Sequence, residues 1–236
     1  MSNSNTVEEM FKVGAHYGYS KSRRHPTVAP FIFGAKNGVE IFDLEKIDDL
    51  LAKAKEFVSK VASEGQQVLF VSGKRQAIGI VKDAAMSIDQ PFVVGRWIGG
   101  TITNFDEMKK RVSRLETLTE QKEKGLLAKY TKKERLLIDR EIEKLEERFG
   151  GVVSMRQKPA AVFIVDSLQE DIALAEALKM NVPVVSLCNS DCDISKIDYP
   201  IVANDSSVDS IRFFVKEIVE AYKEGAKNKK TVAGDK

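Results

Sequence analysis

The sequence predicts an α/β protein with a mostly parallel sheet, helices on both faces of the sheet, and an inserted antiparallel pair of helices. Short, wholly apolar runs such as 68–71 and 161–165 are typical of parallel strands buried on both faces. Amphipathic segments separate these runs, and strand–helix alternation of this kind indicates parallel pairing. The segment 104–149 interrupts the alternation, because it lacks a strand pattern and repeats its apolar residues at helical spacing.

The N-terminal part is predicted to contain a helix, a basic loop and two short strands. Thr6 opens a sequence with capping-box spacing and predicts a helix at 7–15. Residues 14–26 are rich in glycine, then basic, and end with a proline, which indicates a loop. The apolar runs 31–33 and 39–42 predict two strands joined by an Asn-Gly turn.

From residue 43 onward, strands and helices alternate on either side of the inserted segment. Helices are predicted where apolar residues recur every three or four positions after a capping residue or a turn. The predicted strands are 68–71, 92–94, 161–165, 182–187 and 199–202. The predicted helices follow Asp43, Gly73, Asp166-Ser167, and Ser206 or Ser207.

The inserted segment 104–149 is predicted to form an antiparallel helical hairpin of the coiled-coil type. A narrow apolar stripe recurs along each half, while charged residues of both signs cover the remaining surface. Glycine pairs at 99–100 and 150–151 flank the segment and are candidate pivots. The stripe comprises Phe105, Met108, Val112, Leu115 and Leu118, then Leu137 or Ile138, Ile142, Leu145 and Phe149.

Charge and cysteine content exclude some classes of protein. A net charge of only +2 means that any nucleic-acid contact must come from local clusters of basic residues. The two cysteines, Cys188 and Cys192, are too few for a disulfide framework. The N-terminal residues lack the basic and apolar regions of a secretory signal, and no apolar run is long enough to span a membrane. The sequence therefore predicts a cytoplasmic protein.

Many parallel sheets bind nucleotides, so we compared the loop after the run 68–71 with known phosphate-binding motifs. Gly73-Lys74-Arg75 lacks the first glycine of a phosphate-binding loop, and Arg75 replaces the hydroxyl residue that would bind magnesium. No G-x-G-x-x-G pattern follows a predicted strand. The two histidines, His16 and His25, lack an evident nucleophile partner, and no nucleophile elbow is present. We therefore expect neither enzymatic activity nor a nucleotide or other cofactor.

An oxygen-rich loop at 189–193, together with Asn204-Asp205 after the next strand, is compatible with a metal site or with a hydrogen-bonded network. His16 is a further candidate ligand. The spacing matches no closed zinc motif, and Asn and Asp also favour turns because they form local hydrogen bonds. We expect the network, without a metal, and we expect Cys188 to be a small buried group.

Basic residues in predicted loops are the candidate RNA-binding residues. Cations neutralise phosphates, while aromatic and guanidinium faces stack on bases, and the cluster at 21–25 lies beside two tyrosines. The helix start at Lys74-Arg75 favours an anion, although a solvated basic turn fits equally well. Trp97 is expected to pack at the base of the inserted helices. The full candidate set is Lys21, Arg23, Arg24, His25, Lys36, Asn37, Lys74, Arg75, Arg96, Thr103 and Asn104.

Taken with the glycine and apolar motifs between them, these residues resemble the family of bacterial small-subunit ribosomal protein number two. Tyr19, Gly95 and Ala203 depart from the family pattern, in which a histidine, a polar residue and a glycine are usual. The departure at Tyr19 weakens the case for a metal in the N-terminal loop. The matching motifs are Gly14-Ala15-His16-Tyr17-Gly18, Ala29-Pro30-Phe31-Ile32-Phe33-Gly34, Asn37-Gly38-Val39, Ile41-Phe42-Asp43-Leu44-Glu45-Lys46, Val68-Leu69-Phe70-Val71, Gly73-Lys74-Arg75, Arg96-Trp97-Ile98-Gly99-Gly100, Ile102-Thr103-Asn104-Phe105, Thr131-Lys132-Lys133-Glu134, Lys144-Leu145-Glu146, Phe149-Gly150-Gly151, Pro183-Val184-Val185, Asn204-Asp205 and Ser210-Ile211-Arg212.

The resemblance implies a flavodoxin-like three-layer α/β/α fold with an inserted coiled-coil hairpin, and a structural role in the small ribosomal subunit. It implies binding to ribosomal RNA and to neighbouring ribosomal proteins and, in many bacteria, recruitment of that subunit's large mRNA-binding first protein. We expect an α/β RNA-binding domain at 1–103 and 150–225, the hairpin at 104–149, and a flexible basic tail at 226–236. The competing hypotheses are a nucleotide-dependent enzyme and a protein adaptor that binds through its helices alone.

Overall fold

The computed structural model describes residues 4–233, with side chains described for 6–228. Within that range the chain forms helices, strands and short 3-10 turns. The helices are α1 (Ser4–Lys12), α2 (Leu44–Ser63), α3 (Arg75–Met86), α4 (Phe105–Glu123), α5 (Lys132–Phe149), α6 (Asp171–Lys179) and α7 (Val208–Ala233). The strands are β1 (Tyr17–Ser20), β2 (Ile32–Lys36), β3 (Val39–Phe42), β4 (Val68–Ser72), β5 (Phe92–Val94), β6 (Ala161–Val165), β7 (Val184–Cys188) and β8 (Tyr199–Val202).

Five parallel strands form the central sheet in the order β5-β4-β6-β7-β8. This is the 2-1-3-4-5 order of flavodoxin-like sheets, and the strand order reverses between β4 and β6. The predicted parallel sheet is confirmed, because every predicted strand of this part of the chain is present. The carboxyl ends of the strands meet at one edge, where the loops after β4, β6, β7 and β8 lie close together.

Alternate residues of the central sheet pack into two hydrophobic layers. Val68 and Phe70 on β4 belong to the layer that includes α2, α3 and α7. Leu69 and Val71 on the same strand belong to the opposite layer, which includes α6 and the residues where α4 begins and α5 ends. Helices therefore cover both faces of the sheet, as the wholly apolar strands predict.

The N-terminal region differs from the prediction at two places. β1 lies within 14–26, where a loop is predicted, and pairs with β3 in an antiparallel sheet of order β1-β3-β2. Gly18 permits this pairing, because a Cβ atom there would lie only 3.1 Å from the ring of Phe42. The helix predicted at 7–15 begins earlier and ends at Lys12, because Gly14 adopts a left-handed φ of +72° that terminates helices.

Two long helices, α4 and α5, replace the strand–helix alternation in the inserted segment. One side of α4 is buried, and it carries the five apolar residues predicted for it. Arg114 and Lys122 on α4 form ion pairs with Glu141 and Asp139 on α5, at 3.1 Å and 2.8 Å. Of the two alternatives on α5, Leu137 is 54% exposed, whereas Ile138 is partly buried. The Thr131 hydroxyl and Glu134 form a capping box at the start of α5.

The C-terminal helix α7 continues to Ala233, into the segment where a flexible tail is predicted. The helix continues because Ala226 still packs against the core beside α2 and α3. Residues 234–236 of the predicted tail lie outside the described residues. Across residues 4–233, no helix has the length and apolar character required to cross a membrane.

Candidate nucleic-acid interface

Lys74 lies at the carboxyl edge of the central sheet, between two carboxylates from distant parts of the chain. Its Nζ is 2.9 Å from Asp166 Oδ2 and 2.8 Å from Asp205 Oδ2, and its side chain is only 11% exposed. Burial alone would lower the pKa of Lys74, but Asp205 and Asp166 raise it above its ordinary value. The charge of Lys74 is therefore neutralised within the fold, and its assignment as a phosphate-binding residue stays a prediction.

The loop that leads into α3 binds a carboxylate of the protein itself. Glu170 Oε1 accepts a hydrogen bond of 2.7 Å from the Gly73 amide. The approach is close, since a Cβ atom at Gly73 would lie 2.5 Å from this oxygen and 2.6 Å from the carbonyl oxygen of Gly95. Burial raises the pKa of Glu170. Glu170 thus binds the amide two residues before α3, while the neighbouring Arg75 is exposed.

The oxygen-rich loop after β7 forms the expected hydrogen-bonded network. Asn189 Nδ2 donates to Asp205 Oδ1 at 2.7 Å, and the Ser190 amide donates to Asn189 Oδ1 at 2.8 Å. Burial and the nearby Asp166 raise the pKa of Asp205, against the opposing effect of Lys74. Among residues 4–233, no group of three or more His, Cys, Asp or Glu side chains is arranged to hold a metal ion.

His16 and Cys188 are both buried, in different surroundings. The His16 ring stacks on Phe11 with 4.6 Å between the ring centroids, and burial lowers the pKa of His16. Cys188 is fully buried, as predicted, and its Sγ lies 3.4 Å from Ser167 Oγ and 3.3 Å from Ser186 Oγ. Both residues therefore belong to the packed interior beside the loop.

The basic cluster at 21–25 divides into an exposed part and an anchored part. Lys21 and Arg23 belong to a short 3-10 turn, the Lys21–Arg23 turn, and are exposed. The Arg23 guanidinium lies 4.0 Å above the centre of the Tyr19 ring, and its Nη2 is 2.9 Å from Asp191 Oδ2. Its side chain is nevertheless 57% exposed, so one face of the guanidinium remains accessible.

Arg24 and His25 attach this turn to the fold. Arg24 Nη1 is 3.0 Å from Oε1 of Glu40, a buried residue of β3. The His25 amide donates to the Ser190 carbonyl oxygen at 2.8 Å, and His25 Nδ1 lies 2.8 Å from Thr27 Oγ1. These contacts support the loop from the inside, and they hold Lys21 and Arg23 at the surface.

Lys36 and Asn37 lie on the tight turn between β2 and β3, and both are exposed. The turn requires residues that tolerate positive φ, with Asn37 at +54° and Gly38 at +79°. Phe33 on β2 is 80% exposed, a large apolar surface group that the sequence places in a strand without indicating its exposure. This sheet therefore presents exposed polar, basic and aromatic groups.

A buried carboxylate, Glu176 on α6, binds the segment 97–103 that leads into α4. Its Oε1 accepts from Trp97 Nε1 at 3.1 Å and from the Gly100 amide at 2.6 Å. Its Oε2 accepts from the Ile102 amide at 3.1 Å and from the Thr103 amide and hydroxyl at 3.1 Å and 3.0 Å. Burial would raise the pKa of Glu176, but these hydrogen bonds lower it below its usual value.

The residues around Glu176 differ in burial and in their hydrogen-bond partners. Trp97 is 7% exposed and packs at the base of the inserted helices, as predicted. The Thr103 hydroxyl donates a hydrogen bond to Glu176, so Thr103 has a partner within the fold. Arg96 and Asn104, on either side of this segment, are exposed. Sequence reasoning missed Glu176, whose one signal is an acidic residue among the apolar residues of α6.

Comparison with known proteins identifies the family. A family model described as ribosomal protein S2 matches residues 10–225. The chain belongs to this family. The curated relatives include proteins named small ribosomal subunit protein uS2 from Solidesulfovibrio magneticus, Sorangium cellulosum and Helicobacter hepaticus. They are 40%, 40% and 39% identical to this chain, the alignments cover 96%, 95% and 95% of it, and they cover 88%, 81% and 85% of the relatives.

Membership of the S2 family confirms the resemblance inferred from the sequence, and this family consists of structural proteins of the ribosome that are not enzymes. In this member, the candidate RNA-binding residues fall into two groups. Those with exposed side chains are Lys21, Arg23, Lys36, Asn37, Arg75, Arg96 and Asn104. Those with partners inside the fold are Arg24, His25, Lys74 and Thr103.

Proposed function

We propose that this protein is a structural constituent of the small ribosomal subunit and binds ribosomal RNA through its exposed basic turns. The observation that carries the proposal is the Lys21–Arg23 turn, whose two cations face solvent on a loop anchored by Arg24 and His25. Phosphate contacts position a protein on RNA, and stacking groups such as the Arg23–Tyr19 pair can bind unpaired bases.

A fixed loop is better suited to this role than a mobile one. Ordering a long cationic side chain on binding costs conformational entropy, and a cation that is already positioned loses less. Arg23 is held on one side by Tyr19 and Asp191, at 4.0 Å and 2.9 Å, and keeps its other side open. Arg75 and Arg96, exposed after β4 and β5, add cations near the same edge of the sheet.

The α4–α5 segment is proposed to be an antiparallel coiled-coil hairpin, here called the arm, inserted into an α/β RNA-binding domain at 1–103 and 150–225. The buried side of α4 supports this interpretation. So does the order of the two ion pairs, because Arg114 contacts Glu141 while the later Lys122 contacts the earlier Asp139. The arm provides a second contact surface beyond the sheet.

Neighbouring ribosomal proteins are the proposed partners of the outer side of the arm. Leu136 and Leu137 on α5 are 50% and 54% exposed, and Leu126 before α5 is 55% exposed. Adjacent exposed leucines on a charged helix favour a protein contact over a phosphate contact. The relatives are named as small-subunit proteins, and we place this chain in the same cytoplasmic particle.

Removing the two outward cations tests the RNA-binding proposal. The double variant Lys21→Gln, Arg23→Gln is expected to bind small-subunit ribosomal RNA more weakly in a filter-binding titration. Each lost phosphate contact reduces the salt dependence of binding. The slope of log K against log salt should therefore become less negative by about 2. The control Lys53→Gln, Lys60→Gln removes two exposed lysines of α2, far along the chain from the turn.

The control should keep the affinity and the salt slope of the wild type. Both double variants should have wild-type circular dichroism spectra, which excludes loss of folding as the cause. An unchanged salt slope in the Lys21, Arg23 variant would show that this turn does not contact RNA. Equal weakening in both variants would show that binding is a general charge effect rather than a property of the turn.

A further inference from the structure

We propose that Glu176 is a positioning residue that fixes the direction of the arm relative to the basic turns. The inference rests on the proposed function, since it assigns the arm a contact that must be held in place. Both carboxylate oxygens of Glu176 are used, and every donor lies within the segment 97–103 that leads into α4. A single side chain thereby joins five donors of the connection.

The connection has the backbone geometry that such a role requires. Gly100 adopts a φ of +93°, which L side chains rarely adopt, and its amide is the closest donor to Glu176, at 2.6 Å. Successive amides that converge on one anion form a concave anion site, here filled by a carboxylate of the protein. The glycines predicted to act as a pivot therefore shape a binding site for Glu176.

Glu176 is itself rigidly supported. Its neighbours on α6, Ala173, Leu174 and Ala177, are buried in the layer that also contains Leu69, Val71 and Val162 of the sheet. Because Glu176 is anchored to this layer, the segment 97–103 that it binds is held in a fixed orientation relative to the sheet. The arm is thus coupled to the same sheet whose loops carry the basic turns.

The other end of the arm is also closely packed. A Cβ atom at Gly151 would lie 2.3 Å from the carbonyl oxygen of Phe92 on β5, so the backbones are in direct contact there. Phe149 and Val152 on either side are buried. Gly151 therefore serves close packing rather than hinge motion. The entry at 97–103 is held by a buried carboxylate, whereas the exit is held by close backbone packing and by a 3.1 Å hydrogen bond from Gln67 Nε2 to the Ser154 carbonyl oxygen.

A fixed arm matters because two contacts on one rigid body reinforce each other. When the first contact forms, the second binds at an effective concentration that depends on how well its position is defined. An arm that samples many directions lowers this concentration and adds an entropic cost to docking. Glu176 is the residue whose loss should broaden the range of arm directions while the sheet stays folded.

The test variant is Glu176→Gln, which keeps the size of the side chain and replaces one oxygen with a donor that cannot accept. Amide hydrogen exchange at Gly100, Ile102 and Thr103 is expected to become roughly 10- to 100-fold faster, because charge-assisted hydrogen bonds are lost. The matched control is Glu217→Gln, which removes the α7 carboxylate that contacts Lys55 on α2. Exchange at the three amides should be unchanged in this control.

A spectroscopic distance measurement shows whether Glu176 fixes the direction of the arm or only stabilises the fold. Nitroxide labels at Ala52→Cys on α2 and Glu123→Cys on α4 report the direction of the arm, since both positions are exposed. The native cysteines are fully buried, so labelling is selective. We expect a broader distance distribution in Glu176→Gln than in the wild type or in Glu217→Gln. The milder variant Thr103→Val, which removes one donor, provides the same test if Glu176→Gln does not fold.

Incorporation into small subunits, reconstituted from ribosomal RNA and the other subunit proteins, completes the test. Glu176→Gln should compete poorly with wild-type protein for incorporation, by about tenfold, although its melting curve remains cooperative. An unbroadened distance distribution would overturn the positioning role. Equal incorporation despite a broadened distribution would also overturn it and leave the proposed function intact. Failure of the wild-type protein itself to incorporate would instead refute the proposed function.

Discussion

Replacing Lys74 by methionine is expected to lower the free energy of unfolding by about 3–5 kcal/mol, the usual cost of removing one partner of a buried ion pair. The substitution leaves Asp166 and Asp205 facing each other without a cation, and Asp205 is fully buried. Methionine fills a volume close to that of lysine, so the loss comes from uncompensated charge rather than from a cavity. Urea denaturation at neutral pH measures the difference directly.

The pH dependence of this loss has a definite sign. Burial and Asp166 already hold the pKa of Asp205 above its ordinary value, and removal of Lys74 raises it further. A carboxyl group with a raised pKa in the folded state destabilises the fold at neutral pH, and this penalty is lost as the pH falls through that raised pKa toward the unfolded value. The deficit of Lys74→Met should therefore be largest at neutral pH and should shrink in acid.

The neighbouring residue Arg75 provides the matched control. Arg75 is exposed at the start of α3, and no ion pair within the described residues holds it. Arg75→Met should change stability by no more than about 0.5 kcal/mol, as is usual for exposed positions. A Lys74→Met protein as stable as Arg75→Met would contradict the assignment of Lys74 to the interior network.

Replacing Gly225 by alanine is expected to destabilise the protein by about 2–3 kcal/mol, because added atoms in a tightly packed interface force the backbone to move. Gly225 lies where α7 crosses α2. A Cβ atom there would lie 2.1 Å from the Ser59 carbonyl oxygen and 2.9 Å from the Ala62 methyl group. A backbone oxygen cannot move aside as the end of a flexible side chain can, so the two helices must separate.

Gly79 on α3 is the control for this substitution, because a Cβ atom there meets nothing within 4 Å. Alanine has the higher helix propensity, so Gly79→Ala should stabilise the protein by about 0.5–1 kcal/mol. Opposite changes in the urea midpoint are the expected result. Destabilisation of similar size in both variants would show that helix packing at Gly225 is not the cause.

The sequence predicts the central sheet well because its strands are wholly apolar runs that can be recognised without knowledge of the rest of the fold. The run 161–165 forms β6 with the predicted bounds, since a wholly apolar segment of this length can only be buried on both faces. β1 was missed because its residues are glycine, tyrosine and serine, and it becomes a strand only through pairing with β3. The end of α7 was missed because its packing against α2 is a tertiary effect.

In the candidate site, too, residue types are visible in the sequence, whereas contacts between distant parts of the chain are not. Lys21 and Lys74 both appear in the sequence as basic residues in glycine-containing loops. Their difference depends on Asp166 and Asp205, which reach Lys74 only because β4, β6 and β8 end at one edge of the sheet. The role of Glu176 likewise depends on a connection far from it in the chain. Local patterns cannot distinguish a free cation from a paired one.

Quantitative sedimentation of the wild-type chain in extracts of growing cells tests the central claim most directly. A structural constituent held by several phosphate and protein contacts should migrate with small ribosomal subunits, in amounts equal to the other proteins of that particle. It should leave them only when the salt concentration is raised, since phosphate contacts weaken with salt. Recovery of most of the chain at the top of the gradient, free of particles at low salt, would contradict the account.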